Sequence, residues 1–309
     1  MTGRERNFER YAWIVLGWNV LVVLWGALVR ATGSGAGCGS HWPLCNGEVI
    51  PPSPTAQTVI EFTHRLTSGL ALAVIALLVV WSRKLFPKDH AARKWAWASL
   101  VFIVVEALLG AGLVLLAYVE KNASAGRAVY LCAHLTNTLL LLASIAGAAW
   151  MARGGAWRWG GVPTVLKVAL GASLLASLTG AIAALGDTVF PATSMIEGVR
   201  QEFHADAPAL LRLRLLHPLV AVLAGFMVLA AAFMSAGGRV RTAIILLTMS
   251  QLAAGAVNVV LLAPVWMQIV HLALAVGIWL TLVVGSLDAP PLVGDEQAPA
   301  GARRPAIHR

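Results

Sequence analysis

The sequence predicts an all-α integral membrane protein: eight transmembrane helices built as two parallel-repeat four-helix bundles, with both termini in the cytoplasm. Three observations predict it: the hydropathy of the chain, the placement of its basic residues, and an internal repeat that carries four histidines in register. Of 309 residues, 59% are hydrophobic and 12% charged, with a mean hydropathy of +0.77. A soluble protein of this size cannot hide that much apolar surface, whereas a bilayer accepts it. Crossing a hydrocarbon core takes about 20 apolar residues, and eight segments qualify: 12–31, 60–81, 95–117, 128–151, 163–185, 209–235, 241–262 and 265–287.

The first segment contains Trp25-Gly26-Ala27-Leu28 and runs into a glycine-rich loop holding Cys38 and Cys45. It is too long for a cleaved signal peptide and lacks a small-x-small cleavage site. The second opens on Glu61 and His64. The third has Glu106-Ala-Leu-Leu-Gly110-Ala across its middle, and the fourth carries Cys132 and His134 near its start. From the fifth segment the pattern returns: Thr179-Gly180-Ala181-Ile182 matches the first, and Gln251-Leu-Ala-Ala-Gly255-Ala in the seventh matches the third. The sixth carries Arg214 and His217, and His271-Leu272 in the eighth parallels His134-Leu135. Residues 1–151 and 152–287 therefore read as two copies of one unit, and 288–309, rich in Pro, Gly, Ala and charge, as a disordered cytoplasmic tail. Each half starts on the same side, so the repeat is parallel, about an axis along the membrane normal. Gly26, Gly110, Gly180 and Gly255 would let helices approach closely.

The net charge of +9 invites a nucleic-acid reading, which the positions of the charges exclude. Arg4, Arg6 and Arg10 precede the first span, and Arg83, Lys84, Lys88, Arg93 and Lys94 follow the second. Arg153, Arg158, Arg239 and Arg241 occupy the next even-to-odd loops, and Arg303, Arg304 and Arg309 the tail, which puts 15 of the 23 basic residues on one side. That bias is the positive-inside signal, which puts both termini in the cytoplasm; the expected location is a prokaryotic cell membrane.

All four histidine-bearing spans then begin on the outer side, with each histidine a few residues inside. Ionisable side chains in a membrane are expensive and mark functional sites, and imidazoles on facing helices of a bundle can hold a haem iron from both sides. The pairs are His64 with His134 and His217 with His271. A lone membrane histidine would more simply hydrogen-bond a neighbouring helix; four at matching depth favour ligation. Glu61 shares a helix face with His64, and the duplicate position three before His217 is Arg214. The carboxylate either pairs with Arg65 one turn on or handles protons at a reacting edge. Arg65 and Arg214 are the candidate cofactor-binding arginines, Arg214 through haem propionates unless it only marks the interface. Acid beside one site and base beside the other suggest different jobs. Glu106 lies deeper, as a proton relay or a structural group. Cys38 and Cys45 lie in an oxidising compartment and read as a disulfide or redox pair, with a metal site including His41 as the alternative; Cys132 reads as a plain thiol.

Arg30-Ala-Thr-Gly-Ser-Gly-Ala-Gly-Cys38-Gly-Ser-His-Trp-Pro-Leu-Cys45-Asn-Gly, followed by Glu61-Phe-Thr-His64-Arg65, resembles the haem A synthase family, over roughly residues 12–287. The resemblance implies oxidation of the C8 methyl of haem O to a formyl group, giving haem A for terminal oxidases. It implies haem O as substrate between His64 and His134 with Glu61 near the reacting methyl, and a resident haem b on His217 and His271. That haem would pass electrons to an acceptor such as a quinone, with water supplying the oxygen and haem O synthase or oxidase assembly proteins as partners. The chain departs from some members by Ser40-His41 before Trp-Pro and by having no cysteine in residues 186–210. A bis-histidine electron carrier and a haem-handling protein are the alternatives, and neither needs Glu61 or the cysteine pair.

Overall fold

The computed structural model describes residues 1–154, 157, 159–235 and 237–288. Arg158 and the tail from 289 onward lie outside the described residues. Among the described residues there is no strand; the regular structure is helical, beside an isolated bridge between Cys45 and Glu48. The helices are α1 (Gly3–Ala31), α2 (Ala56–Leu85), α3 (Ala91–Leu115), α4 (Ala125–Met151), α5 (Thr164–Val189), α6 (Met195–Phe203), α7 (Ala209–Arg214), α8 (Leu216–Ser235), α9 (Gly238–Val260) and α10 (Val265–Leu287). Eight of the spans they form are long and apolar enough to cross a membrane, with α7 and α8 together making the sixth.

Local chemistry sets the ends. Thr2 and Glu5 form a capping box, so α1 starts well before its apolar stretch. Thr55 and Ser124 cap α2 and α4 through hydroxyls that accept from Thr58 N–H and Arg127 N–H. Pro163, Pro208 and Pro264 precede α5, α7 and α10, where their fixed φ directs the entering chain. The sixth span breaks at Leu215 because Pro218 has no N–H for the Arg214 carbonyl four residues back.

Helix neighbours fall into two rings. In one, α1 packs on α2 and α4, and α3 on α2 and α4; in the other, α5 packs on α8 and α10, and α9 on α8 and α10. The rings meet through α1 and α4 on one side and α5 and α10 on the other. Leu139, Leu142, Ile145, Val276 and Leu282 are buried there, and the Trp279 indole N–H donates across the seam to Leu139 O at 2.8 Å. α4, clasped by both rings, is the most buried span. Elsewhere large apolar side chains such as Ile14, Leu21, Leu108 and Leu219 point outward, as lipid-facing helices require. This is a multi-pass membrane protein.

Candidate functional site

α2 and α4 begin before their apolar stretches, so His64 and His134 lie further from their helix starts than hydropathy alone indicates, whereas the sixth and eighth spans start where hydropathy puts them. His64, His134, His217 and His271 lie 8, 9, 8 and 6 residues past Ala56, Ala125, Ala209 and Val265, or roughly 9–14 Å along each span at the α-helical rise. All four are half-buried.

Three of them rest on glycines of an adjacent helix. A Cβ added to Gly26 would lie 3.0 Å from His64 Cε1, one on Gly180 would lie 3.0 Å from His217 Cε1, and one on Gly255 would lie 3.1 Å from His271 Cε1. The glycines that mark the repeat are thus the floors on which imidazoles lie. Gly110 is the exception, with nothing within 4 Å. His134 instead has Glu106 of α3 beside it, with Nδ1 3.1 Å from Oε1 although not aligned as a hydrogen bond.

In the second ring the His217 and His271 rings stand 6.3 Å apart, centroid to centroid, at 87°. That separation admits one metal ion bonded to both at about 2 Å, the usual imidazole–metal length. Thr179 Oγ1 lies 3.1 Å from His217 Nδ1, which leaves Nε2 free, while the Gln251 amide lies 3.2 Å from His271 Nε2 and must yield that nitrogen to a ligand. His64 Nδ1 and His271 Nδ1 are buried without a partner. Among the described residues no group of three or more His, Cys, Asp or Glu could hold a bare ion. Histidine pairs of this kind suit a metal that brings the rest of its donors with it, as haem does.

The loop between α1 and α2 is bolted to α2. Cys38 and Cys45 form a disulfide, which removes the metal alternative with His41. Glu61 is 3% exposed; its Oε2 accepts from the Cys38 N–H at 2.8 Å, and its Oε1 pairs with Arg65. Arg65 Nη1 in turn donates to the carbonyls of His41 and Leu44, both at 2.7 Å. Thr58 Oγ1 donates to Gly37 O at 2.8 Å, and a Cβ on Gly37 would meet the α2 backbone at 2.5 Å. Only glycine permits that approach. Glu61 and Arg65 therefore both join helix to loop.

Arg214 Nε donates to Glu202 at 2.7 Å and Nη1 to Asp187 at 2.9 Å. Those carboxylates, which have no evident purpose in the sequence, fold the α5–α7 loop over the sixth span. Outside the spans, Glu197 is held below the ordinary carboxylate range by hydrogen bonds from the Thr193 hydroxyl and backbone N–H, which secure the start of α6.

Sequence reasoning missed Arg30 as a contact residue: its Nη1 donates to Ala184 O at 2.8 Å and Thr188 Oγ1 at 2.9 Å, and its Nη2 to Gln268 Oε1 at 2.8 Å. It also missed Thr179 and Gln251 as histidine partners, although both stood beside the repeat glycines.

These features define a class: an eight-span helical membrane protein with four intramembrane histidines and a disulfide-closed loop anchored beside the first. The chain belongs to the cytochrome oxidase assembly protein family (COX15-CtaA), whose model matches residues 9–283. It is 46% identical over 310 residues to a Protoheme IX farnesyltransferase of Thermus thermophilus, covering 97% of this chain and 51% of that protein. It is 47% identical over 95 residues to the Heme A synthase of Alkalihalophilus pseudofirmus (31% of this chain, 32% of the relative) and 44% identical over 110 residues to that of Bacillus mycoides (35% of each). The chain thus spans about half the length of the Thermus relatives it matches.

Proposed function

We propose that this chain is a haem A synthase that oxidises the C8 methyl of haem O to a formyl group. The observation that carries the reading is the family match over residues 9–283 falling on a chain in which three of the four span histidines lie on glycine floors within two rings of helices. Shorter matches to proteins named Heme A synthase support it. The Thermus relatives are named for farnesyl transfer to protohaem, the reaction class that makes haem O, which supports a haem O synthase as a neighbour in the membrane.

In this reading residues 1–151 and 152–287 are repeats of one bundle, their termini are cytoplasmic, and the chain lies in a prokaryotic cell membrane. His64 and His134 hold the substrate, and His217 and His271 hold a haem b. When bound, haem b supplies one-electron redox chemistry. Methyl plus water gives formyl plus four electrons and four protons, so two quinones, each taking up two electrons and two protons, balance the reaction. Glu61 stands beside His64 to take up protons, and its loan of Oε2 to the Cys38 N–H keeps the carboxylate fixed. Arg65 and Arg214 steer propionates while Glu61, Asp187 and Glu202 hold them in place.

A second reading, a bis-histidine electron carrier, is favoured by one observation: both Glu61 oxygens already have partners. The deciding experiment expresses the chain with and without a haem O synthase and analyses extracted haems by mass. Haem A or its hydroxylated precursor, appearing only when haem O is made, is expected. Unmodified haems from folded protein with acceptor present would favour the carrier.

A further inference from the structure

The two rings carry a carboxylate and an amide at equivalent positions, and the two meet different nitrogens of their histidines. Glu106 and Gln251 occupy the same place in the repeated Glu106-x-x-x-Gly110 and Gln251-x-x-x-Gly255 stretches. Each side chain reaches the histidine of the following span: Glu106 lies 3.1 Å from His134 Nδ1, and Gln251 lies 3.2 Å from His271 Nε2. The carboxylate is fixed from every side. The Asn137 amide donates to its Oε2 at 2.5 Å and to Phe102 O at 2.8 Å, and Thr138 donates to its Oε1. Asn137 and Thr138 follow His134 on α4, so one helix supplies both the imidazole and the groups that aim the carboxylate at it. Among the described residues the Gln251 side-chain oxygen has no hydrogen-bond partner, and the neighbours of His217, the Thr179 hydroxyl and the Ala176 carbonyl, are uncharged.

We propose that Glu106 is a positioning residue that holds His134 with its proton on Nδ1 and its Nε2 lone pair free for haem iron, making the first site the more electron-rich of the two. The inference rests on the assignment of His134 and His271 as haem ligands. A carboxylate behind a ligating imidazole fixes its tautomer and orientation and raises its basicity. A more basic ligand stabilises the oxidised metal, whereas the uncharged Gln251 and Thr179 give no such bias. Electrons therefore run downhill from the Glu106 site to the Gln251 site. This is the direction that oxidising a substrate in the first ring requires.

The test is a spectroelectrochemical titration of the purified, haem-loaded full chain and its variants. In Glu106→Gln the lower of two midpoints should rise towards the higher, which should not move. Glu106→Asp should restore part of the difference. Unaltered midpoints in Glu106→Gln with both haems retained would overturn the proposal. So would identical shifts in Glu106→Gln and Glu106→Asp, which would reveal a packing role. If Glu106→Gln does not fold, Thr138→Val, which removes one of the bonds that fix the carboxylate, decides: an unmoved lower midpoint with both haems retained sinks the idea. Loss of the bis-histidine spectrum from wild-type protein would instead refute the ligand assignment on which the inference rests.

Discussion

At the scale of single residues, the glycine–histidine contacts separate helix stability from ligand geometry. Glycine inside a helix is destabilising by about 0.5–1 kcal/mol relative to alanine, so replacing it should strengthen the span unless the new methyl meets something. At Gly110 nothing lies within 4 Å. Gly110→Ala should therefore gain stability of that order and leave any haem spectrum unchanged. At Gly180 the methyl would arrive 3.0 Å from His217 Cε1, so the ring must shift by a few tenths of an ångström. Gly180→Ala should keep the fold but perturb the low-spin haem absorption and weaken haem retention; Gly26→Ala should do the same at His64. Thermal unfolding and visible spectra of the three variants check this, and a Gly180→Ala spectrum identical to that of Gly110→Ala would show that the floor is immaterial. The histidines and their glycines were legible in the sequence because similar short motifs recur in the same order along the chain. The contact between them was not, since sequence spacing does not say which helix faces which.

At the scale of an element, the disulfide loop shows how a short motif becomes a rigid part. Cys38 and Cys45 close it, but the disulfide alone does not set its pose over α2. Arg65 does so by gathering two loop carbonyls at 2.7 Å while pairing with Glu61. Hydrogen bonds to a charged group contribute about 1.5–3 kcal/mol each, so Arg65→Met should open the loop locally without unfolding the spans. Limited proteolysis across residues 39–50 should accelerate about tenfold or more, with the disulfide intact. Unchanged cleavage would mean that the Thr58–Gly37 contact suffices. The pairing of Glu61 with Arg65 was readable from their four-residue spacing on one helix. The loop carbonyls were not, because backbone acceptors leave no trace in side-chain identity. The interruption of the sixth span at Leu215 was equally hidden in a single long segment, although Pro218 carried the signal.

At the scale of the whole molecule, two rings of helices must stay in a fixed relation if electrons are to pass between them. Apolar packing between membrane helices gives little orientation by itself, since lipid is as apolar as the side chains. Directional bonds across the seam supply it. Trp279 to Leu139 O and Trp157 to Ser286 O, at 3.2 Å, fasten α10 to the first ring and its linker. Arg30, at the far end of α1, grips both α5 and α10 through three acceptors. Because α1 leads from Arg30 straight into the disulfide loop, the same residue ties that loop to the second ring. Removing one partner of a buried charged hydrogen bond leaves the others unsatisfied, at about 1–3 kcal/mol per group. Arg30→Met should thus lower the thermal midpoint in detergent markedly and broaden distances between spin labels placed on α2 and α8. Arg30→Lys, which can satisfy one acceptor but not the planar fork, should fall between. If Arg30→Met left the label distances as narrow as in the wild type, the tryptophan bonds and the packed α4–α10 seam would be sufficient, and Arg30 would serve the disulfide loop alone.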